Sequence, residues 1–258
     1  TTLGQNIKAL EVNGTFDDCQ DMVKQAFLDE ELKDVSLTSA NSINVARWLP
    51  QMFYYFIAYK ELKKLGKPLV VSVPSGNFGN ICAGMMAKKI GLPIAHFVAS
   101  TNVNDTVPRF MDSQQYEPKP TVETLSNAMD VSNPSNFVRI LELFGKEFGV
   151  LDGELTSYSF TDAETVVAMQ KVYTEDEYLC DPHGAVGYLG LKKYLKGKEN
   201  LTGIFLETAH PVKFADSIVN NLKIEIPIPE QIQAVLNGEK KATKISTYNE
   251  LKDFLKHQ

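Results

Sequence analysis

The 258-residue chain has 26 Lys and Arg against 32 Asp and Glu, a net charge of −6, with 43% apolar and 22% charged residues. That mixture is globular and long enough for one large domain, or one domain and part of another. The interleaved charges exclude a nucleic-acid surface and favour a small-molecule partner.

Cys19, Cys82 and Cys180 are odd in number and widely spaced, which fits neither a disulfide framework nor a zinc site. A reducing, cytoplasmic setting is the expectation. The longest apolar stretch, 48–59, contains Pro50 and Gln51 and is too short for a bilayer; no membrane contact is expected. Thr1, Thr2, Leu3 and Gly4 show no leader layout and no Met, so the chain is expected to start at an internal boundary.

In chain order, 7–12 reads as a strand, 17–32 as a helix with Asp17 and Asp18 as its N-terminal charges, and 35–39 as a second short strand. A Val-rich buried strand over 69–73 runs through Pro74, Ser75 and Gly76 into a helix over 78–90, which Gly91 and Pro93 stop. Residues 94–99 form the next strand, completing a parallel strand–helix–strand unit. Turn formers without a period make 114–136 an irregular surface segment. Thr161 and Glu164 form a capping box for a helix through 173. A helix over 184–195, a strand over 203–206 and a helix over 214–222 follow. Pro227 and Pro229 break the pattern before short C-terminal helices, the last capped by Thr247 and Glu250. The class is α/β with a largely parallel sheet, in which ligands sit beyond the carboxyl ends of the strands. Chemistry is therefore expected in 74–80, 100–106, 207–213 and 39–47.

Between strand and helix, Gly76 and Gly79 let the backbone approach a ligand, and the helix start offers amides and a positive dipole end suited to phosphate. The loop matches neither the dinucleotide nor the P-loop pattern; taken alone it is equally an ordinary tight turn. The run 73–84 resembles the cofactor-phosphate loop of threonine synthases, pyridoxal-phosphate (PLP) enzymes of fold type II. The runs 14–20, 39–47 and 208–214 resemble the same family in the same order, with weaker matches at 102–110 and 181–188.

The resemblance implies a three-layer, mostly parallel sheet with helices on both faces. Residues 1–38 would be a remnant of a smaller N-terminal domain. Residues 39–258 would be the large PLP-phosphate-binding domain with C-terminal helices. It further implies that the amides of Gly76, Asn77, Phe78, Gly79 and Asn80 hold the PLP phosphate and that the Thr208 hydroxyl bonds the pyridine nitrogen. Ser42, Asn44 and Arg47 would gather the phosphate of O-phospho-L-homoserine.

Bland readings stand beside these. Thr208 also suits a strand end, 41–44 a helix cap with Arg47 in solvent, and His183 and His210 a helix start and a loop. Neither histidine has metal-ligand spacing. The family's Schiff-base lysine lies upstream in a context that Lys33-Asp34 does not match, so no catalytic lysine is expected in this chain. The implied reaction converts O-phospho-L-homoserine and water to L-threonine and phosphate in a protein that also has the missing N-terminal domain, the chain alone being inactive. Alternatives are another fold-type II enzyme, such as a threonine dehydratase, and a noncatalytic phosphometabolite-binding domain.

Overall fold

The computed structural model describes residues 6–236 and 238–257; the chain start at residues 1–4 lies outside them. Its elements in order are β1 (Leu10–Val12), α1 (Phe16–Leu28), α2 (Trp48–Leu62), β2 (Leu69–Pro74), α3 (Gly79–Lys89) and β3 (Ile94–Thr101). Next come α4 (Thr106–Ser113), α5 (Phe137–Leu143), α6 (Phe148–Asp152), β4 (Leu155–Ser159), α7 (Asp162–Glu175) and α8 (Pro182–Leu195). The last are β5 (Thr202–Phe205), α9 (Ala215–Leu222), α10 (Glu230–Leu236), β6 (Thr243–Ile245) and α11 (Tyr248–Lys256).

The chain divides into two compact units, Ala40–Ile226 and a smaller one made of Thr1–Ser39 with Pro227–Gln258. In the larger, four strands pair in the order β4-β3-β2-β5, all parallel. Successive side chains on a strand point to opposite faces, so β2 and β3 feed two layers. Val71, Val73, Phe97 and Ala99 pack with Met52 and Tyr55 of α2 and Ile81 and Met85 of α3. Val70 and Val98 pack with Leu191 of α8 on the other face. The expected three-layer α/β arrangement is what forms.

Gly190 brings α8 close to the sheet, because a Cβ there would collide with Ser100 Oγ. On that face Ser72 Oγ donates to the Gly187 carbonyl at 2.7 Å.

Two expectations need correction. No strand forms over 35–39: the amides of Val35 and Leu37 turn back to the carbonyls of Leu32 and Val35, at 2.9 and 2.6 Å, leaving no ladder to join. Residues 227–258, assigned to the large domain, belong with the N-terminal unit instead. There β6 pairs in parallel with β1, Leu10 opposite Thr243 and Val12 opposite Ile245. Only the last part of 7–12 is paired, which makes β1 shorter than expected.

Candidate functional site

At the carboxyl end of β2 the chain turns at Ser75, whose amide donates to the Ser100 carbonyl of β3 at 2.8 Å. Phe78 then adopts the left-handed conformation, φ 61° and ψ 11°, as N-cap of α3. A left-handed residue inside a turn gathers successive N–H groups into an anion-binding concavity, and the first turn of α3 has no earlier turn to accept from its amides. Phe78 holds this conformation, which a side chain rarely favours, with its ring buried edge-on against Phe137, centroids 5.7 Å apart.

The side chains of the loop brace it from behind. Asn77 Oδ1 accepts from the Ser135 amide at 2.7 Å, and Asn77 Nδ2 donates to Ser42 Oγ at 2.6 Å. Asn80 Oδ1 accepts from the hydroxyls of Tyr54 and Tyr55 at 2.6 and 2.7 Å. A Cβ on Gly76 would lie 2.6 Å from Met129 Cα, and one on Gly79 would lie 2.8 Å from Ser42 Cβ. Both glycines are therefore required by the close approach of neighbouring segments.

In front of the loop is a cavity of about 240 Å³ lined by residues 74–81, Gln51, Ala128, Met129, His183 and Thr208. A larger groove of about 670 Å³ adjoins it through Gln51, Asn80 and Thr208. Among the described residues no lysine or arginine lines the cavity, so an anion there would be held by main-chain dipoles. Gln51 Oε1 is buried without a hydrogen-bond partner and awaits a donor. Backbone amides arranged around a helix start, with that spare acceptor, fit a phosphorylated ring compound.

The six residues expected at the cofactor, 76–80 and Thr208, line this one cavity. Ser42 props the loop through Asn77. Asn44 Oδ1 accepts from the Ala46 amide at 3.0 Å, and Arg47 is exposed; neither lines the cavity. His183 does. Its Nε2 accepts from the Ala128 amide at 3.1 Å and its Nδ1 lies 2.7 Å from Asp181 Oδ1, so Nδ1 carries the proton. His210 caps a short turn, its Nδ1 accepting from the Val212 amide at 3.2 Å.

Three contributions went unforeseen: Gln51, the wall at 128–129, and Arg139. Arg139 donates to the carbonyls of Ser42 and Ile43 at 3.2 and 2.6 Å. It lies 97 residues from Ser42, and no sequence spacing signals that contact. The wall comes from the irregular segment, which a polar network orders. Asn102 Nδ2 donates to Asp130 Oδ1 at 2.8 Å, and Asp130 Oδ2 accepts from the Thr124 amide at 3.0 Å.

Residues 2–205 match the family model described as pyridoxal-phosphate dependent enzyme, and residues 184–255 match the model described as threonine synthase, C-terminal. The chain is 52% identical over 233 residues to a threonine synthase of Haemophilus influenzae, covering 90% of this chain and 54% of the relative. A crystal structure of Escherichia coli threonine synthase superposes with a TM-score of 0.93 at 44% identity, covering all of this chain and 60% of that one. The PLP-bound threonine synthase from Brucella melitensis gives 0.84 at 32% identity, covering 98% of this chain and 60% of that one. The chain thus spans little more than half the length of the relatives it matches.

Proposed function

We propose, from the premise that the chain belongs to the pyridoxal-phosphate dependent enzyme family, that it forms the cofactor-phosphate part of a threonine synthase. The overall reaction is O-phospho-L-homoserine plus water giving L-threonine plus phosphate. The observation that carries this reading is that residues 76–80 and Thr208 line a single cavity beyond the carboxyl ends of parallel strands.

On this reading the amides of Gly76, Asn77, Phe78, Gly79 and Asn80 hold the cofactor phosphate through oriented dipoles. The Thr208 hydroxyl meets the pyridine nitrogen as a neutral partner and does not force a proton onto it. When bound, PLP supplies an electron sink for charge developing at the substrate's α-carbon. Ser42, Asn44 and Arg47 are the candidate contacts of the substrate phosphate, with the guanidinium of Arg47 able to grip two oxygens at once.

The chain spans 54% of the Haemophilus influenzae relative and 60% of the Escherichia coli one, which supports a site completed by a region outside these 258 residues that supplies the Schiff-base lysine. A cytoplasmic location belongs to the same proposal. No described helix is long and apolar enough to cross a membrane, and Cys82 and Cys180 are free and buried.

The test joins this chain to the preceding portion of the Haemophilus influenzae relative and compares it with the chain alone, both supplied with PLP. The joined protein is expected to release threonine and phosphate from O-phospho-L-homoserine, with Arg47→Ala raising KM, while the chain alone releases neither. A joined protein that folds, ignores this substrate and deaminates threonine would overturn the reading in favour of a dehydratase.

A further inference from the structure

Among the described residues, the buried side-chain oxygens that no donor reaches include Asp181 Oδ2 and both carboxyl oxygens of Glu207. Both carboxyls sit against Gly184: Asp181 Oδ1 accepts from its amide, and Glu207 Oε1 occupies the space a Cβ there would need. Asp181 is fully buried as N-cap of α8. Glu207 lies over the first turn of that helix, where a Cβ on Gly184 would collide with its Oε1.

The donors of the cap are spent on the other oxygen of Asp181. Its Oδ1 accepts from the His183 amide at 2.6 Å, from His183 Nδ1 at 2.7 Å and from the Gly184 amide at 3.3 Å. Two buried carboxylates set side by side, with only the Asp181 main-chain N–H near Glu207, repel strongly, and the strain is relieved when one takes up a proton. One proton turns the unpartnered oxygens into a donor and an acceptor.

We propose that Glu207 is a positioning residue: its carboxyl carries a proton shared with Asp181 Oδ2, and the pair fixes His183 as the Nδ1–H tautomer, so that Nε2 accepts from the Ala128 amide.

Burial, and then the charge of Asp181, push Glu207 up to about 9. Burial opposes ionisation of Asp181 too, yet the hydrogen bonds from His183 hold it below the usual carboxylate range. Tyr178 and Cys180 also face this pair, and burial raises both, Cys180 to about 12. Tyr54 lines the same groove as Glu207 and is likewise raised by burial. None of these three takes on charge before Glu207 does.

The anchored Ala128 amide holds the 128–129 wall, whose Met129 Cα lies against Gly76. Only this last link, to a phosphate loop, rests on the function proposed above. The proton and the tautomer do not.

The sign of the linkage follows from the direction of the shift. A carboxyl raised on folding contributes stability that is full below its unfolded value and is lost as pH rises through about 9. Between those limits the unfolding constant gains up to about tenfold per pH unit from this one group. The experiment measures urea unfolding of the chain from about pH 5 to about pH 9, for the wild type and Glu207→Gln. Glutamine keeps a donor and cannot titrate, so the wild type is expected to weaken more steeply with pH than the variant. Nitrogen-15 spectra of the histidine rings, recorded without cofactor, are expected to show Nδ1–H for His183 in both proteins. Glu207→Leu, which offers no donor, is expected to show exchange between tautomers. Identical pH slopes in wild type and Glu207→Gln, or an Nε2–H ring in the wild type, would overturn the proposal. If no variant folds, the carbon-13 titration of the Glu207 carboxyl in the wild type decides it: a carboxyl still protonated at about pH 7 is expected, and one ionised there would overturn the proposal. Failure to bind a phosphorylated pyridine compound would instead count against the function proposed above and leave the tautomer result standing.

Discussion

At Asn80 the main chain and the side chain have separate duties. The amide belongs to the candidate phosphate cradle, while Oδ1 accepts from the Tyr54 and Tyr55 hydroxyls. Tyr55 is almost wholly buried and keeps the Asn80 carbonyl as an acceptor at 3.0 Å, so Asn80→Ala takes away the side-chain acceptor mainly from the Tyr54 hydroxyl. The expected cost is about 0.5–1.5 kcal/mol, read as a lower urea midpoint; an unchanged midpoint would contradict the assignment. At Gly76 a methyl group meets Met129 Cα, which is backbone and cannot rotate away. Gly76→Ala is expected to lose about 1–3 kcal/mol through overpacking, again by urea unfolding, and to weaken phosphate binding in a titration. The glycines, the helix start and the family likeness of the loop were legible in the sequence, because a cradle for phosphate is a local property of consecutive residues. The bracing roles of Asn77 and Asn80 were not, because their partners Ser135 and Tyr55 lie 58 and 25 residues away.

Helix starts were the most readable elements. The boxes read at Thr161 with Glu164 and at Thr247 with Glu250 both form, side chain to amide in each direction. The box at Thr15 with Asp18 went unread, because Asp stands at the position where the sequence signal calls for Glu or Gln. Thr161→Ala is expected to cost about 1 kcal/mol, seen as a shift in thermal midpoint. Among the strands β2, buried through Val73, announced itself most clearly by its valines. The edge strand β4, Leu-Thr-Ser-Tyr-Ser, has a single aliphatic residue and takes its register from β3 alone. The run 35–39 misled for the opposite reason, being apolar enough for a strand but closed by its own turns.

In the smaller unit α11 is tied to residues 29–31: Tyr248 donates to Asp29 Oδ2 at 2.6 Å, and Lys252 lies 2.9 Å from the same oxygen. The Tyr248 hydroxyl, then the Lys252 ammonium and the Glu31 amide, lower Asp29 to about 2. A carboxyl lowered on folding stabilises above its unfolded value, about 3.9, and that contribution is lost as pH falls through about 2. Acid is therefore expected to loosen α11 across that window, followed by hydrogen exchange of its amides, and Asp29→Asn to weaken the dependence, the rest coming from Glu31, which Lys252 and Lys256 also hold below its ordinary range. Equal acid sensitivity in the variant would contradict this tie.

The molecule as a whole was legible as an α/β chain with a parallel sheet, since four strands alternate with helices in the larger unit. The company kept by its C-terminus was not: β6 is three residues long, and its partner β1 stands more than two hundred positions earlier. Nor could the sequence announce a cavity built from segments near 51, 76, 128, 183 and 208, because only the fold brings those positions together. The account depends on this shared cavity accepting a phosphorylated pyridine. The direct measurement is a backbone amide NMR titration of the chain with pyridoxine 5′-phosphate, which has no aldehyde and binds without covalent chemistry. Saturable shifts concentrated at residues 76–80 and Thr208, and absent with unphosphorylated pyridoxine, are the predicted result. Shifts centred elsewhere, or the same response to both compounds, would contradict it.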